Sequence, residues 1–136
     1  GKVSSGSGSH VAYCFADVRG YSKFGKYKGN GNADGPFIYT GFKPAFVISK
    51  NISTTMHWSM NDTKRDPFNV GSKRLWPSQS NAEVTNSAYY IDYLSNGFKI
   101  RSDSSSWNGS GNTMIYMAFA ENPLVDSTGN IPATAR

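Results

Sequence analysis

Phe98-Lys99-Ile100-Arg101 alternates apolar with cationic residues, a two-residue period that puts Phe98 and Ile100 on one face of an extended chain and the cations on the other. Ala45-Phe46-Val47-Ile48 and Met114-Ile115-Tyr116-Met117-Ala118-Phe119 are apolar without a break, the pattern of central strands covered on both faces. Similar short runs, rich in aromatic and β-branched residues, recur along the chain. They predict strands at His10–Val18, Tyr21–Tyr27, Phe37–Phe42, Ala45–Lys50, Thr55–Met60, Tyr89–Leu94, Phe98–Ser102 and Thr113–Glu121. Between them lie Lys28-Gly29-Asn30-Gly31-Asn32, Asp34-Gly35-Pro36, Asn96-Gly97 and Asn108-Gly109-Ser110-Gly111, where Gly and Asn accept the positive φ of tight turns. Asn61 to Ser87 is too polar and too interrupted by Pro67 and Pro77 for a central strand, so a long connection is expected between residues 61 and 87. Within it, Ser80-Asn81-Ala82-Glu83 has the spacing of a helix capping box.

The resulting fold class is all-β, an antiparallel β-sandwich of two sheets, with Phe46, Ile48, Phe98, Ile100, Ile115, Met117 and Phe119 in its core. Residues 1–10, GKVSSGSGSH, read as a flexible Gly/Ser linker, residues 11–125 as a single β-sandwich domain and residues 126–136 as an extended tail. An echo between Val11-Ala12-Tyr13-Cys14-Phe15-Ala16-Asp17 and Ile115-Tyr116-Met117-Ala118-Phe119-Ala120-Glu121 suggests that the first and last strands lie close together.

Composition narrows the chemistry. A length of 136 residues suits one core, and 8 Tyr, 8 Phe and 3 Trp let that core be built of large planar side chains. Cys14 is the lone cysteine, which excludes an internal disulfide and a cysteine-rich zinc site. No apolar run approaches the roughly 18 residues of a membrane-spanning helix, so no membrane insertion is expected. The net charge is +5, but the Lys and Arg residues are spread along the chain rather than gathered in a block, which argues against nucleic acid as a partner.

Taken in order, several blocks resemble an uncharacterised family of β-sandwich domains in tailed-bacteriophage tail, tail-fibre and host-contacting structural proteins. The blocks are His10-Val11-Ala12-Tyr13-Cys14-Phe15 with Gly20-Tyr21-Ser22-Lys23-Phe24-Gly25; Gly29-Asn30-Gly31 with Asp34-Gly35-Pro36-Phe37; and Thr40-Gly41-Phe42-Lys43-Pro44-Ala45-Phe46-Val47. They continue with Asp62 and Lys64-Arg65-Asp66, then Ser80-Asn81-Ala82-Glu83, Leu94-Ser95-Asn96-Gly97-Phe98-Lys99, and Gly109-Ser110-Gly111 before Tyr116-Met117-Ala118-Phe119-Ala120-Glu121. The resemblance implies a virion structural domain that mediates attachment to the host cell surface. Its partners would be other virion proteins and a host surface glycan or protein receptor, and its assembly a homo-oligomer, commonly a trimer. It would reside in the virion tail or fibre, and in the host cytoplasm during assembly. An architectural decoration or spacer domain is the alternative, and a glycan-degrading tail enzyme a further one.

No motif in the chain argues for catalysis, so the expectation is a protein that is not an enzyme. His10 and His57 lack a nucleophile elbow or a metal-binding helix around them. Asp62, Asp66, Glu83, Asp92 and Asp103 could supply the carboxylate pair of a glycosidase, yet the first two flank Lys64 and Arg65 and read as loop-fixing ion pairs. Asn30-Gly31-Asn32-Ala33-Asp34-Gly35 superficially suggests a calcium loop but lacks the later bidentate Glu, so a plain connection is the reading, with no metal and no cofactor. What stands out is the aromatic content of the expected loops. Trp76 beside Lys73 and Arg74, and Trp107 in the Ser102–Asn112 loop, form the candidate ligand-binding set, because an indole stacks on a sugar face while Arg or Lys holds an acidic group. That reading requires both indoles at the surface.

Overall fold

The computed structural model describes residues 9–121. Strand β9 (Thr113–Ala120) runs through the middle of a four-stranded antiparallel sheet, with β1 (Ser22–Lys28) on one side and β3 (Pro44–Asn51) then β4 (Ser59–Asp62) on the other. A three-stranded antiparallel sheet, β2 (Phe37–Tyr39), β8 (Gly97–Ile100) and β7 (Ile91–Leu94), covers one face of it. The fold is therefore all-β, and the two sheets meet as a sandwich. The apolar layer between them takes Tyr27, Val47, Met114, Tyr116 and Ala118 from the larger sheet and Ile38, Ile91, Tyr93, Phe98 and Ile100 from the smaller. Each such large side chain withdrawn from water stabilises the fold by about 1.5–3 kcal/mol. Phe98 joins the sheets, with its ring 5.5 Å from that of Tyr116 and 6.4 Å from that of Tyr27.

Phe98 and Ile100 are core residues as their alternation predicts, but Phe46, Ile48, Ile115, Met117 and Phe119 lie on the opposite face of their sheet and are half-buried. The register is one residue from that expected, which exchanges the two faces of a strand completely. The reason lies in the inward polar residues. Ser49, Asn51, Ser59 and Asn61 point inward and are buried, and the last three serve the connections packed beneath: Asn51 Nδ2 donates to Ser105 O at 2.9 Å, Asn61 Nδ2 to Lys73 O at 2.8 Å, and Ser59 Oγ accepts from Arg74.

Three local expectations are also corrected. Residues 10–17 form no strand and Val18 makes a single bridge to Ser22. Here Asp17 Oδ1 accepts from Phe24 N at 2.8 Å and Ser22 Oγ donates to Ala16 O at 2.8 Å, so side chains occupy the edge of β1 where a ladder would form. The echo with β9 is thus not structural equivalence, although Phe15 does reach the last strand, with its ring 5.9 Å from that of Phe119. The strand expected at Thr55–Met60 starts at Ser59, after a turn in which Asn51 Oδ1 accepts from Ser53 N. The capping-box segment carries no helix, Glu83 being engaged by Arg65; the short helical turns lie instead at Ser87–Tyr89 (3-10) and α1 (Ser105–Asn108).

The long 61–87 connection is better ordered than its composition suggests. It contains the ribbon β5 (Lys73–Arg74) and β6 (Val84–Thr85), and it extends both sheets at one side of the sandwich. Leu75 bridges to Met60 at the edge of β4, and Gly71 bridges to Ile91 at the edge of β7, where Asn69 also exchanges hydrogen bonds of 2.8 and 2.9 Å with the backbone of Tyr93. That side is closed. On the opposite side β1 is met only by residues 16–18, and β2 is an edge strand without such cover. The linker expected at residues 1–10 lies outside the described residues except for Ser9 and His10, and the tail expected at 126–136 lies outside them entirely.

Candidate functional site

The structure brings Arg74, Trp76 and Trp107 together, but mostly inside the molecule. Ribbon β5 delivers Arg74 beneath the four-stranded sheet, where its guanidinium carbon lies 4.4 Å from the ring centre of Tyr89 and 5.5 Å from those of Trp76 and Trp107. Arg74 and Trp107 are each only 1% exposed, and Trp76 is half-buried. The exposure that a surface sugar platform requires is therefore absent at Trp107. One-turn helix α1 carries that indole inward, and its Nε1 donates to Ala88 O at 3.3 Å. Arg74 donates to Ser106 Oγ at 3.1 Å and to Ser59 Oγ, while its Nε lacks a partner. Burial pushes its pKa down to about 10, still far above neutrality, so the guanidinium remains charged in its aromatic cage. Lys73 points the other way, donating from Nζ to Arg65 O at 3.0 Å.

The carboxylates of the long connection are engaged. Arg65 binds Asp62 through Nε and Glu83 through a terminal nitrogen, both at 2.5 Å. For Asp62, burial alone would push the carboxyl up, but the backbone N–H and guanidinium of Arg65 outweigh it and hold the group below the usual range. Asp66 accepts from the backbone N–H groups of Ser72 and Lys73. His57 stands exposed. Among the described residues, no three His, Cys, Asp or Glu side chains converge as metal ligands would.

The Asn-Gly loop after β1 is a structural clasp. Asn108, fully buried, donates from Nδ2 to Ser102 O at 2.7 Å, Asn32 O at 2.8 Å and Asn30 Oδ1 at 3.0 Å, and accepts from Asn30 N at 2.9 Å. Gly29 is required by contact, since a Cβ there would stand 2.3 Å from Gly109 O. Asp34 pairs with Lys99 at 2.7 Å, so the loop's side chains turn to the protein rather than to a central ion.

A cleft of about 380 Å³ opens on the side opposite the 61–87 connection, between the chain entering β1 and the end of β2. Its first wall is the turn before β1, made by Tyr21 N and Ser22 N donating to Val18 O at 2.9 Å with Gly20 at a φ of 73°. Asp17, Arg19 and Lys23 project from this wall. Lys23 bonds Asp17, and that bond, foremost among several influences, lowers the Asp17 pKa and raises that of Lys23. Arg19 is exposed and has no ion-pair partner among the described residues. The second wall is Tyr39, Thr40 and Gly41. Thr40 N and Gly41 N donate to Asn96 O, and Thr40 Oγ1 to Phe42 O at 2.6 Å, which fixes the backbone under Tyr39. The Tyr39 side chain is 65% exposed. Gly41, at a φ of 83°, places no side chain against that ring.

Around this edge further aromatics remain uncovered. Phe37, beside Tyr39 on one face of β2, lies over Gly97, while on the outer face of the larger sheet Phe15 stacks on Phe24 and both Phe15 and Tyr21 meet Phe119 edge-on. The sequence pointed to indoles in loops, whereas the exposed rings beside the cleft are Phe37 and Tyr39 of β2. The strand Phe37-Ile38-Tyr39 carried the signal: its alternation sends one apolar side chain inward and leaves two rings outside.

Compared with known proteins, residues 1–123 match a family model described as a domain of unknown function, DUF7483. No curated protein and no solved structure matches the chain.

Proposed function

We propose that this chain, which belongs to the DUF7483 family of domains of unknown function, is a non-catalytic attachment domain of a tailed-bacteriophage tail or tail-fibre protein. The observation that carries the reading is the pair of exposed rings Phe37 and Tyr39, side by side on the outer face of edge strand β2 with Tyr39 lining the cleft. Exposed aromatics gathered in one region cost solubility and are kept where a partner covers them. The β-sandwich holds those rings on a rigid frame, which suits recognition. The resemblance of the ordered sequence blocks to host-contacting tail domains supplies the biological setting. Against a glycan-degrading enzyme, both Asp62 and Glu83 are held by the one guanidinium of Arg65, an arrangement for fixing a loop.

Self-association belongs to the same proposal. On the outer face of the four-stranded sheet Phe24, Phe46, Ile48, Ile115, Met117 and Phe119 remain half-buried, and a second copy of the chain would cover them in the symmetric assembly expected of a tail protein, commonly a trimer. The test is direct. Fluorescently labelled chain is added to a panel of bacteria, and a Phe37→Ser/Tyr39→Ser double variant is compared with the parent after its melting curve shows that it folds. Binding to some strains, lost in the variant, is the expected result. An absence of binding across the panel, or equal binding by the variant, overturns the reading.

A further inference from the structure

We infer that the cleft at the β1–β2 edge is a binding site for a saccharide bearing an anionic group, a carboxylate or a phosphate, with Tyr39 under the sugar ring and Arg19 on the anion. This rests on the attachment reading and deepens it.

The cleft's volume of about 380 Å³ falls in the range of small-ligand sites and suits one or two sugar rings. Charge selects the class of ligand. Asp17 and Lys23 neutralise each other, so the guanidinium of Arg19 is the net charge on the lining. A guanidinium presents a planar fork of donors that matches the paired oxygens of a carboxylate or phosphate, and it remains charged throughout the physiological range. Shape selects a sugar. Tyr39 offers an open ring face with a hydroxyl at its tip, the combination that packs on the C–H face of a pyranose while bonding its edge. Asp17, with one oxygen on Phe24 N and the other on Lys23, still has lone pairs for sugar hydroxyls.

The site is also built in advance. Ser22 and Thr40 both spend their hydroxyls on backbone carbonyls of their own walls, and Gly20 and Gly41 hold left-handed backbone that locks each turn. Little ordering remains to be done on binding, which favours affinity for a small ligand.

The experiment is a glycan array of bacterial-surface oligosaccharides in which each uronate- or phosphate-bearing member is paired with its carboxyl-reduced or dephosphorylated counterpart. It is probed with the full chain and with Arg19→Gln and Tyr39→Ala, each verified as folded by its melting curve. The parent is expected to bind charged members at least 10-fold better than their neutral partners; the two sets of pairs separate carboxylate from phosphate. Arg19→Gln should abolish that ratio by lowering binding to the charged members, and Tyr39→Ala should weaken binding to charged and neutral members alike. Equal binding to charged and neutral members, or a ratio that survives Arg19→Gln, overturns the inference and leaves the attachment reading in place. So does binding to intact bacteria without binding to any array member. Failure to bind both bacteria and array overturns the two together.

Discussion

The guanidinium carbon of Arg74 lies 4.4 Å from the ring centre of Tyr89, and no carboxylate pairs with that buried cation among the described residues. Its desolvation is offset by three aromatic faces and two serine hydroxyls, which demand a flat, delocalised cation. Arg74→Lys should therefore cost about 2–4 kcal/mol, since an ammonium loses the stacking and cannot reach both hydroxyls. Arg74→Met, which fills the cage and removes the buried charge, should stay within about 1.5 kcal/mol of the parent. Urea unfolding of the two variants checks the order; a lysine variant as stable as the parent would contradict it.

The same cluster shows where sequence reasoning succeeds and where it stops. Strand existence was legible from periodicity and turn residues, because Asn96-Gly97 and the apolar runs act locally. Which face of β3 and β9 is inside was not, because Met114 to Phe119 is apolar on both faces, and Asn51 is buried for the sake of Ser53 and Ser105 rather than for packing. In sequence Arg74, Trp76 and Trp107 read as a surface ligand set; the structure brings them together but buries Arg74 and Trp107. Their burial depends on contacts 33 positions apart in sequence between Arg74 and Trp107, which no local pattern records. The cleft likewise joins a turn at residues 17–23 to one at 39–41 only through the pairing of β1 with β9 and β2 with β8.

Asn108 should be among the most sensitive polar positions. Its fully buried amide closes the exposed loop over residues 30–32 and ties it to the buried Ser102. Asn108→Ala leaves the Asn32 and Ser102 carbonyls and the Asn30 N–H without their partner, for an expected loss of about 3 kcal/mol or more. Hydrogen exchange should report faster exchange at Asn30 and Gly31 than in the parent.

Two kinds of glycine are separable by alanine substitution. At Gly97 a Cβ would lie 2.1 Å from Ile38 O and 2.9 Å from the Phe37 ring, so Gly97→Ala must displace backbone and should cost about 3 kcal/mol. At Gly111 nothing stands within 4 Å and only the φ of 73° resists, so Gly111→Ala should cost about 1 kcal/mol. Equal losses in denaturant titrations would show that packing at the β2–β8 pair is looser than the geometry requires.

The Asp17–Lys23 pair sets a pH window for the cleft. Its hydrogen bond holds the Asp17 carboxyl below 3.8, so between that value and the folded midpoint the unfolded chain binds more protons, and stability rises with pH there. The contribution is complete above 3.8 and is lost as pH falls through the folded midpoint; exposure of both groups keeps it small. For Lys23, raised above 10.5 by the same bond, the contribution is complete below 10.5 and is lost as pH rises through the raised value. A carbon-detected NMR titration should place the Asp17 midpoint below 3.8 in the parent and return it toward 3.8 in Lys23→Gln. Because protonating Asp17 also releases Lys23 as a second free cation beside Arg19, binding of a phosphodiester-bearing saccharide, whose single charge does not titrate there, should strengthen as pH falls through the Asp17 midpoint. A parent midpoint at or above 3.8 would mean that the pair does not form in solution and that both cations already face the cleft at neutral pH.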